Sequence, residues 1–165
     1  MKWHKQYKSE RLMSPRSKLV LQQKNANLDC VEELTAIEKE AHFSPWAKIS
    51  FIEALQANDT VKKFILDNEV VGYFVAKIVL DQCELLNLTV KKSMQSKGIG
   101  TLILLQLKEL CMALNIKYIF LEVRRSNATA IKLYEQNGFN ETGIRKNYYK
   151  TVTGMEDAIL MGLSL

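Results

Sequence analysis

Several residue types that define whole classes of protein are scarce in this sequence. It has two histidines and only three cysteines, Cys30, Cys83 and Cys111, which lie far apart among apolar neighbours. An odd number of such cysteines favours reduced core thiols in a cytoplasmic protein over a disulfide framework. Because the sequence has no Cys-x-x-Cys pair and no Cys/His cluster, we expect no metal site.

Long apolar runs are absent as well. No run reaches the roughly 18 residues that span a bilayer, and the charged segment Met1–Leu12 has no apolar stretch behind it. We therefore expect neither a membrane span nor an export signal. The remaining composition, 47% apolar and 25% charged over 165 residues, suits one globular domain with its own core.

The formal net charge of +5 is concentrated at one end of the chain. Residues 1–18 contain six Lys or Arg and one acid, whereas residues 19–165 contain seventeen of each sign. We therefore divide the chain into a basic tail, 1–18, and a single neutral domain, 19–165. Such a tail can bind RNA or another polyanion, or can be a solvated terminus without a partner.

Hydrophobic periodicity predicts a mixed α/β domain in the order β-α-α-β-β-β-α-β-α-β-β. A short strand at 18–23 is followed by a helix that Asp29 and Glu32 open with capping-box spacing. Ser44 and Pro45 are typical of the N-cap and the first position of a second helix. Later strands are expected at 61–66, 70–80, 83–90, 118–124, 142–150 and 156–164.

Two further helices separate the later strands. One spans 98–114, and the other is capped by Ser126 or Asn127 and ended by Gly138. The almost continuous apolar run Tyr118–Arg124 is typical of a parallel strand covered on both faces, so strand, helix and strand form one βαβ crossover. The predicted fold class is therefore α/β, with a mixed, mostly antiparallel sheet, one parallel crossover and flanking helices.

The strongest local motif is QSKGIG at Gln95–Gly100, which follows a predicted strand and opens a predicted helix. Glycines let a ligand approach the backbone closely, and the free amides and positive dipole of a helix N-terminus suit a phosphate or pyrophosphate. The motif is neither a Walker loop nor a full dinucleotide fingerprint. The same residues are also consistent with a glycine-softened helix start that binds nothing.

Three other side chains are candidates for chemistry. Glu122 is a lone carboxylate inside the predicted buried strand, so it is either salt-bridged, to Arg124 or Arg125, or placed in a cleft as a candidate general base. Asn127 and Tyr134, seven residues apart, fall on one face of the next helix, toward the carboxyl ends of the parallel strands. There the tyrosine hydroxyl could donate a proton, although a lone tyrosine of this kind is usually a core residue with a satisfied hydroxyl.

Together these residues resemble the GNAT acetyltransferases over nearly the whole chain from about residue 19. Gln95–Gly100 is similar to the family's acetyl-CoA pyrophosphate motif, and Ser126–Tyr134 is similar to its second cofactor segment. The full set resembles more narrowly the ribosomal-protein-alanine N-acetyltransferases, the RimI type. The segments that carry this narrower resemblance are His42–Trp46, Leu85–Val90, Leu121–Arg124, Leu133–Glu135, Gly138–Phe139, Arg145–Tyr149 and Glu156–Ala158.

The resemblance implies transfer of acetyl from acetyl-CoA to the α-amine of an N-terminal alanine on a small-subunit ribosomal protein. Glu122 would be the general base, through water, and Tyr134 would be the general acid that protonates the departing CoA thiolate. Backbone groups of Leu88, Thr89 and Val90 would pair with the pantetheine arm and polarise the thioester carbonyl. The remaining cofactor contacts would come from Asn127 and from the loop residues Gln95, Ser96, Lys97, Gly98, Ile99, Gly100 and Thr101.

The same resemblance implies a peptide groove in which Phe43, Trp46, Tyr148 and Tyr149 grip the substrate, although each aromatic residue could instead belong to the core. Two other functions stay open at this point. One is a GNAT enzyme for other protein N-termini or for small amines, the latter requiring an acidic groove, and the other is an idle CoA-binding module associated with the ribosome. We expect a cytoplasmic monomer that contacts no membrane.

Overall fold

The computed structural model describes residues 19–165, so the basic tail predicted at 1–18 lies outside the described residues. Within this range, seven strands form one sheet in the order β1-β2-β3-β4-β5-β7-β6. The strands are β1 (Gln22–Asn25), β2 (Thr60–Leu66), β3 (Glu69–Val79), β4 (Gln82–Val90), β5 (Tyr118–Arg124), β6 (Asn140–Lys150) and β7 (Met155–Ser164).

Four helices flank the sheet in the same part of the chain. They are α1 (Val31–Ala41), α2 (Lys48–Gln56), α3 (Ile99–Ala113) and α4 (Ala128–Gln136), and short 3₁₀ turns at Leu28–Cys30 and Lys92–Met94 precede α1 and α3. All neighbouring strands are antiparallel except β4 and β5, which α3 connects. The predicted element order and the single parallel crossover are therefore confirmed.

The sheet separates two apolar clusters. On one face, α3 and α4 pack on the central strands, where Phe74, Ile103 and Leu107 are fully buried. On the other face, α1 and α2 cover β2 and β3 through side chains that include Leu34 and Phe51. Each large apolar side chain buried in this way contributes roughly 1.5–3 kcal/mol. The three cysteines are buried, free thiols, as predicted.

Two predicted helix starts are wrong. Asp29 lies in the 3₁₀ turn before α1, and α1 makes no side-chain cap hydrogen bond, so the capping box with Glu32 does not form. Ser44 and Pro45 lie in the connection before α2, which begins only at Lys48. The predicted start at Ser44 and Pro45 is wrong because of a contact with α1. Glu38 accepts a hydrogen bond from the Trp46 amide at 3.0 Å, and this bond holds the connection extended.

Two strand predictions also need correction. The first strand lies at Gln22–Asn25 rather than at 18–23, because pairing with β2 sets its position and its own polar residues give no strand signal. β5 is parallel to β4, as predicted, but it is covered on one face only. Tyr118 and Phe120 remain partly exposed, because the helices that flank β5 pack on the opposite face, so the side that carries Glu122 stays open.

Gly72 on β3 is tightly enclosed by β4 and α3. A Cβ at this position would stand 2.7 Å from the Thr89 carbonyl oxygen and 2.8 Å from Ile103 Cδ1. We expect Gly72→Ala to lower the free energy of unfolding by about 1–3 kcal/mol through overpacking. The control Gly143→Ala, whose Cβ meets only Leu160 Cδ1 at 3.5 Å, should change it by about 0.5 kcal/mol or less. Urea unfolding of both variants tests this, and equal midpoints would contradict it.

Candidate functional site

β4 and β5 are paired only at their beginnings. Their register runs from Gln82↔Tyr118 to Leu85↔Leu121, although β4 continues to Val90 and β5 to Arg124. Leu86 is an extra residue in the ladder with β3, and a bulge of this kind bends the strand. Because β5 stays paired with β7 to its end, the two strands splay apart. The open edge of β4 therefore offers backbone groups to an extended ligand.

A cleft lies at this splay, with walls from α1, β4, β5, α4 and β6. It brings together residues that are as much as 111 positions apart in the sequence, from Glu38 to Tyr149. The predicted site residues that line it are Trp46, Leu88, Glu122, Asn127, Tyr134 and Tyr149. Cofactor and substrate candidates therefore share one cleft.

Glu122 lies in the cleft wall with 23% of its side chain exposed. Its ion-pair partner is Arg145 of β6, whose Nη1 lies 3.1 Å from Oε1, so the predicted pairing with Arg124 or Arg125 is wrong. Those two arginines pair instead with acidic residues of β7. The carboxylate is thus both paired and in a cleft, the two alternatives that the sequence left open.

Tyr134 is nearly buried on α4, with its ring edge-on to Phe139 at 5.7 Å. Burial, and secondarily the neighbouring Tyr149, raises the pKa of Tyr134 above its usual range, so the hydroxyl keeps its proton at neutral pH. No side-chain nitrogen or oxygen of residues 19–165, the Tyr134 hydroxyl included, is both fully buried and without a hydrogen-bond partner. A protonated phenol in the cleft wall can donate a hydrogen bond or a proton.

Asn127 is the N-cap of α4, so of the two predicted caps, Ser126 and Asn127, the second is confirmed. Its Oδ1 accepts a hydrogen bond from the Ala130 amide at 3.1 Å. The cap fixes the start of α4 at the cleft, and Tyr134 follows seven residues later, on the same wall. The predicted sharing of one helix face by these two residues is confirmed.

The loop between β4 and α3 has the geometry of an anion cradle. Ser96 and Gly98 adopt left-handed backbone conformations, with φ of 59° and 81°, and Gly98 is the N-cap of α3. The Leu102 amide donates to the Gly98 carbonyl at 3.1 Å, so the preceding amides at the helix start lack intrahelical acceptors. Gln95 Nε2 donates to the Val90 carbonyl at 3.1 Å, which closes the loop onto the end of β4.

The other predicted cofactor residues take three kinds of position. Lys97 is exposed on the loop, Ile99 is buried in the core, and Gly100 and Thr101 form the first turn of α3. On β4, Thr89 is buried, whereas Leu88 and Val90 are partly exposed. A Cβ at Gly98 would meet nothing within 4 Å, so the space above the helix N-terminus is open.

The four aromatic residues predicted for a peptide groove are not equivalent. Trp46 and Tyr149 line the cleft, Tyr148 packs edge-on against Tyr149 at 4.9 Å, and Phe43 is 85% exposed and outside the lining. The Arg124 guanidinium stacks over the Tyr149 ring at 4.3 Å. Tyr149 is therefore held in the cleft wall by this stacking. Phe43 lies outside the cleft lining, so only a ligand that extends beyond the cleft could contact it.

Glu38 was not singled out from the sequence, yet it centres the most extensive polar network at the cleft. It is 2% exposed on α1. Its Oε2 accepts hydrogen bonds from the Tyr73 hydroxyl and from Thr89 Oγ1 at 2.8 Å, and its Oε1 accepts from the Trp46 amide at 3.0 Å and from Asn87 Nδ2 at 3.3 Å. The sequence did contain a signal for this residue, because Glu38 is an acid at a position where the helical period predicts a core residue.

A clamp beside the cleft joins β5 to β7. Glu156 accepts hydrogen bonds from Arg124 Nη1 at 2.7 Å and from the Ser126 amide at 3.2 Å, and these donors, Arg124 first, lower the pKa of Glu156. A carboxyl group whose pKa is lower in the folded state stabilises the fold above its unfolded-state pKa. That contribution disappears as the pH falls through the folded-state pKa.

We therefore expect the melting-temperature difference between wild type and Glu156→Gln to be largest near neutral pH and to shrink toward zero as the solution is acidified below about pH 4. Glu109→Gln is the control, since Glu109 is exposed on α3 and forms no ion pair within residues 19–165. Thermal unfolding across this pH range is the measurement. A difference that does not change with pH would show that the clamp is not electrostatic.

The chemistry that the cleft offers follows from these groups. Within the described range, no cluster of three or more His, Cys, Asp or Glu is placed to hold a metal ion, and no helix is long and apolar enough to cross a membrane. What is present is a carboxylate, a protonated phenol, an open strand edge and a helix N-terminus. This set suits proton transfer and the binding of an extended, phosphorylated ligand.

Comparisons with known proteins agree with this geometry. The family model for the Acetyltransferase (GNAT) family matches residues 31–139. The ribosomal protein bS18-alanine N-acetyltransferase of Salmonella typhimurium is 38% identical over 129 residues, which cover 78% of this chain and 87% of that protein. Its namesake in Haemophilus influenzae is 37% identical over 143 residues, which cover 81% of this chain and 92% of that protein.

A solved structure gives the same result. The crystal structure of the ribosomal-protein-S18-alanine N-acetyltransferase from Escherichia coli has a TM-score of 0.83 and 32% sequence identity to this chain. The match covers 88% of this chain and 94% of the crystallised one. The shared fold therefore extends over most of this chain.

Proposed function

This chain belongs to the GNAT family of acetyltransferases, and we propose that it transfers the acetyl group of acetyl-CoA to the α-amine of an N-terminal alanine on a small-subunit ribosomal protein. The observation that carries the proposal is the cleft itself, where Glu122 and Tyr134 lie beside the open edge of β4. The names of the relatives, which act on alanine of ribosomal protein bS18 or S18, support the choice of substrate.

We assign the acetyl-CoA site to the splay between β4 and β5. The open edge at Leu88, Thr89 and Val90 suits the amide groups of a pantetheine arm, and the amides of 96–101 suit the pyrophosphate. Asn127 would contact the cofactor from the start of α4. When bound, acetyl-CoA supplies a thioester, and the residues around it must position the acceptor and move two protons.

Glu122 would take the first proton. An α-amine has a pKa of about 8, so it is mostly an ammonium at neutral pH and must lose a proton before it can attack the thioester. Glu122 would accept that proton directly or through a water molecule. Its pairing with Arg145 keeps the carboxylate oriented in the cleft wall.

Tyr134 would supply the second proton. A thiolate leaves more readily when a hydroxyl can hydrogen-bond or protonate it, and backbone amides of β4 can stabilise charge on the thioester oxygen. The Tyr134 hydroxyl suits this role because it retains its proton at neutral pH. No covalent intermediate on the enzyme is required, which agrees with the burial of all three cysteines.

The substrate peptide would enter between the α1–α2 connection and β6. Trp46 and Tyr149 offer neutral aromatic surface in the cleft, and Tyr148 and Phe43 would meet the peptide farther out. A wall with this aromatic character favours a peptide over a polyamine. We further propose that the enzyme is a cytoplasmic monomer, and that the basic tail, 1–18, makes a weak contact with RNA or the ribosome.

The test is acetyl-CoA turnover, followed by release of the free CoA thiol. The acceptors are a short peptide with a free N-terminal alanine, the same peptide with its N-terminus blocked, and a panel of polyamines. We expect turnover with the free peptide only. Turnover with polyamines instead would leave the acetyltransferase assignment in place and would refute the proposed substrate.

A further inference from the structure

The Glu38 carboxylate is a buried anion without a strong counter-ion. Its hydrogen-bond donors, which are two hydroxyls, one side-chain amide and one backbone amide, match an ionised carboxylate, because that form only accepts. Within residues 19–165 the one basic group within 4.0 Å is His42, whose Nε2 lies 3.6 Å from Oε2. Hydrogen bonds stabilise this charge but do not cancel it.

The network extends from Glu38 to the cleft surface. Thr89 Oγ1 has a single proton, which it can donate to Glu38 at 2.8 Å or to Asn87 Oδ1 at 3.0 Å. When it donates to Glu38, its oxygen can accept a hydrogen bond from His42 Nε2 at 2.9 Å. His42 and Asn87 line the same cleft as Glu122, so the chain of hydrogen bonds ends where an acceptor would bind.

The two carboxylates of the cleft differ in their electrostatic effect. Arg145 pairs with Glu122 at 3.1 Å and offsets its charge, whereas no lysine or arginine of the described range lies within 4.0 Å of the Glu38 carboxylate, and Arg124, which also lines the cleft, is paired with Glu156. Because Glu38 is almost completely buried, solvent screens its charge weakly, and an anion that is not in an ion pair attracts a cation more strongly than an ion pair does. The acceptor side of the cleft is therefore set up to receive a positive charge.

We propose that Glu38 is a positioning residue for the acceptor: its charge, acting through Thr89, Asn87 and His42, draws the acceptor's α-ammonium into the cleft and holds it beside Glu122. This inference rests on the proposed function, which supplies a cationic acceptor. Glu38 is part of the cleft lining, but with 2% exposure it acts through its charge and through the side chains that cover it. Glu122 then removes the proton, and Glu38 determines which acceptors bind.

The test compares two peptides of the same shape that differ in their N-terminal group. One begins with alanine, and the other begins with an isobutyryl group, in which an uncharged methyl group replaces the ammonium. Their affinities are measured by calorimetry on enzyme saturated with CoA, so that no transfer occurs. We expect wild type to prefer the ammonium peptide, and Glu38→Gln to reduce that preference by about tenfold, which corresponds to about 1.4 kcal/mol.

Further variants separate charge from structure. Tyr73→Phe removes a hydrogen bond from the same carboxylate on its core side and leaves the charge, so the preference should stay within about twofold of wild type even though stability falls. Glu40→Gln is the matched charge control and should keep the preference, because it removes a solvent-exposed carboxylate from the same helix. If Glu38→Gln fails to fold, Thr89→Val decides the question, because it removes the hydroxyl that links Glu38 to His42 and should also reduce the preference.

The proposal is overturned if Glu38→Gln retains the full preference, if Thr89→Val retains it where Glu38→Gln does not fold, if Tyr73→Phe loses as much of it, or if Glu40→Gln abolishes it. A merely structural role for Glu38 would weaken both peptides equally and leave their ratio unchanged. If wild type acetylates a small amine and not the peptide, the proposed function fails. The same comparison, made with that amine and its hydroxyl analogue, then still tests Glu38.

Discussion

Glu122→Gln will lower kcat for acetyl transfer to an N-terminal alanine peptide by about 10²–10⁴-fold, the range expected when a general base is removed. Glutamine keeps the size of the side chain in the cleft but cannot accept the ammonium proton. The KM for acetyl-CoA should change little, because the proposed pyrophosphate loop, between β4 and α3, is not part of the cleft lining that includes Glu122. Steady-state release of the CoA thiol measures both parameters.

The pH dependence gives this prediction a second readout. As the pH rises past about 8, most of the α-amine is already deprotonated in solution, so the difference in kcat between wild type and Glu122→Gln should become smaller. The control is Glu84→Gln, because Glu84 is an exposed carboxylate on the paired part of β4. It should retain wild-type activity. A Glu122→Gln enzyme within a few-fold of wild type at neutral pH would assign the base to another group.

Tyr134→Phe will lower kcat by about 10²-fold or more, because it removes the proposed general acid and leaves the aromatic ring in place. The ring packs edge-on against Phe139, and phenylalanine preserves this contact. We therefore expect the melting temperature to change little while the rate falls. Steady-state kinetics combined with thermal unfolding distinguishes these two effects.

Tyr118→Phe is the matched control for this substitution. Tyr118 is a partly exposed tyrosine on β5, outside the cleft lining, so the loss of its hydroxyl should affect neither rate nor stability. Burial keeps Tyr134 protonated well above neutral pH, so the wild-type rate should show no loss from Tyr134 ionisation between pH 7 and about pH 9. Equal rates in Tyr134→Phe and wild type would remove the hydroxyl from the mechanism.

The parts of the fold that the sequence predicts are those set by local pattern. The period of α3, the apolar run of β5 and the spacing of Asn127 and Tyr134 are each contained within one element and its caps. The QSKGIG motif is also local, because its glycine and the helix start together create the cradle. Features of this kind can be located from the sequence before any tertiary contact is known.

The rest depends on contacts between distant segments. Arg145 reaches Glu122 from another strand, whereas the sequence pointed only to the neighbouring Arg124 and Arg125. The Ser44–Pro45 helix start failed because Glu38 binds the Trp46 amide and holds that connection extended. Thr89 was expected to act through its backbone, yet its hydroxyl links Glu38 to His42. No single-element pattern encodes these contacts.

The central claim is that this cleft directs acetyl to an α-amine. The most direct test uses a peptide that has both a free N-terminal alanine and an internal lysine, incubated with the enzyme and acetyl-CoA and then sequenced by tandem mass spectrometry. The account predicts one acetyl group, on the alanine nitrogen, and an unmodified lysine. An acetyl group on the lysine side chain, with the alanine left free, would contradict it.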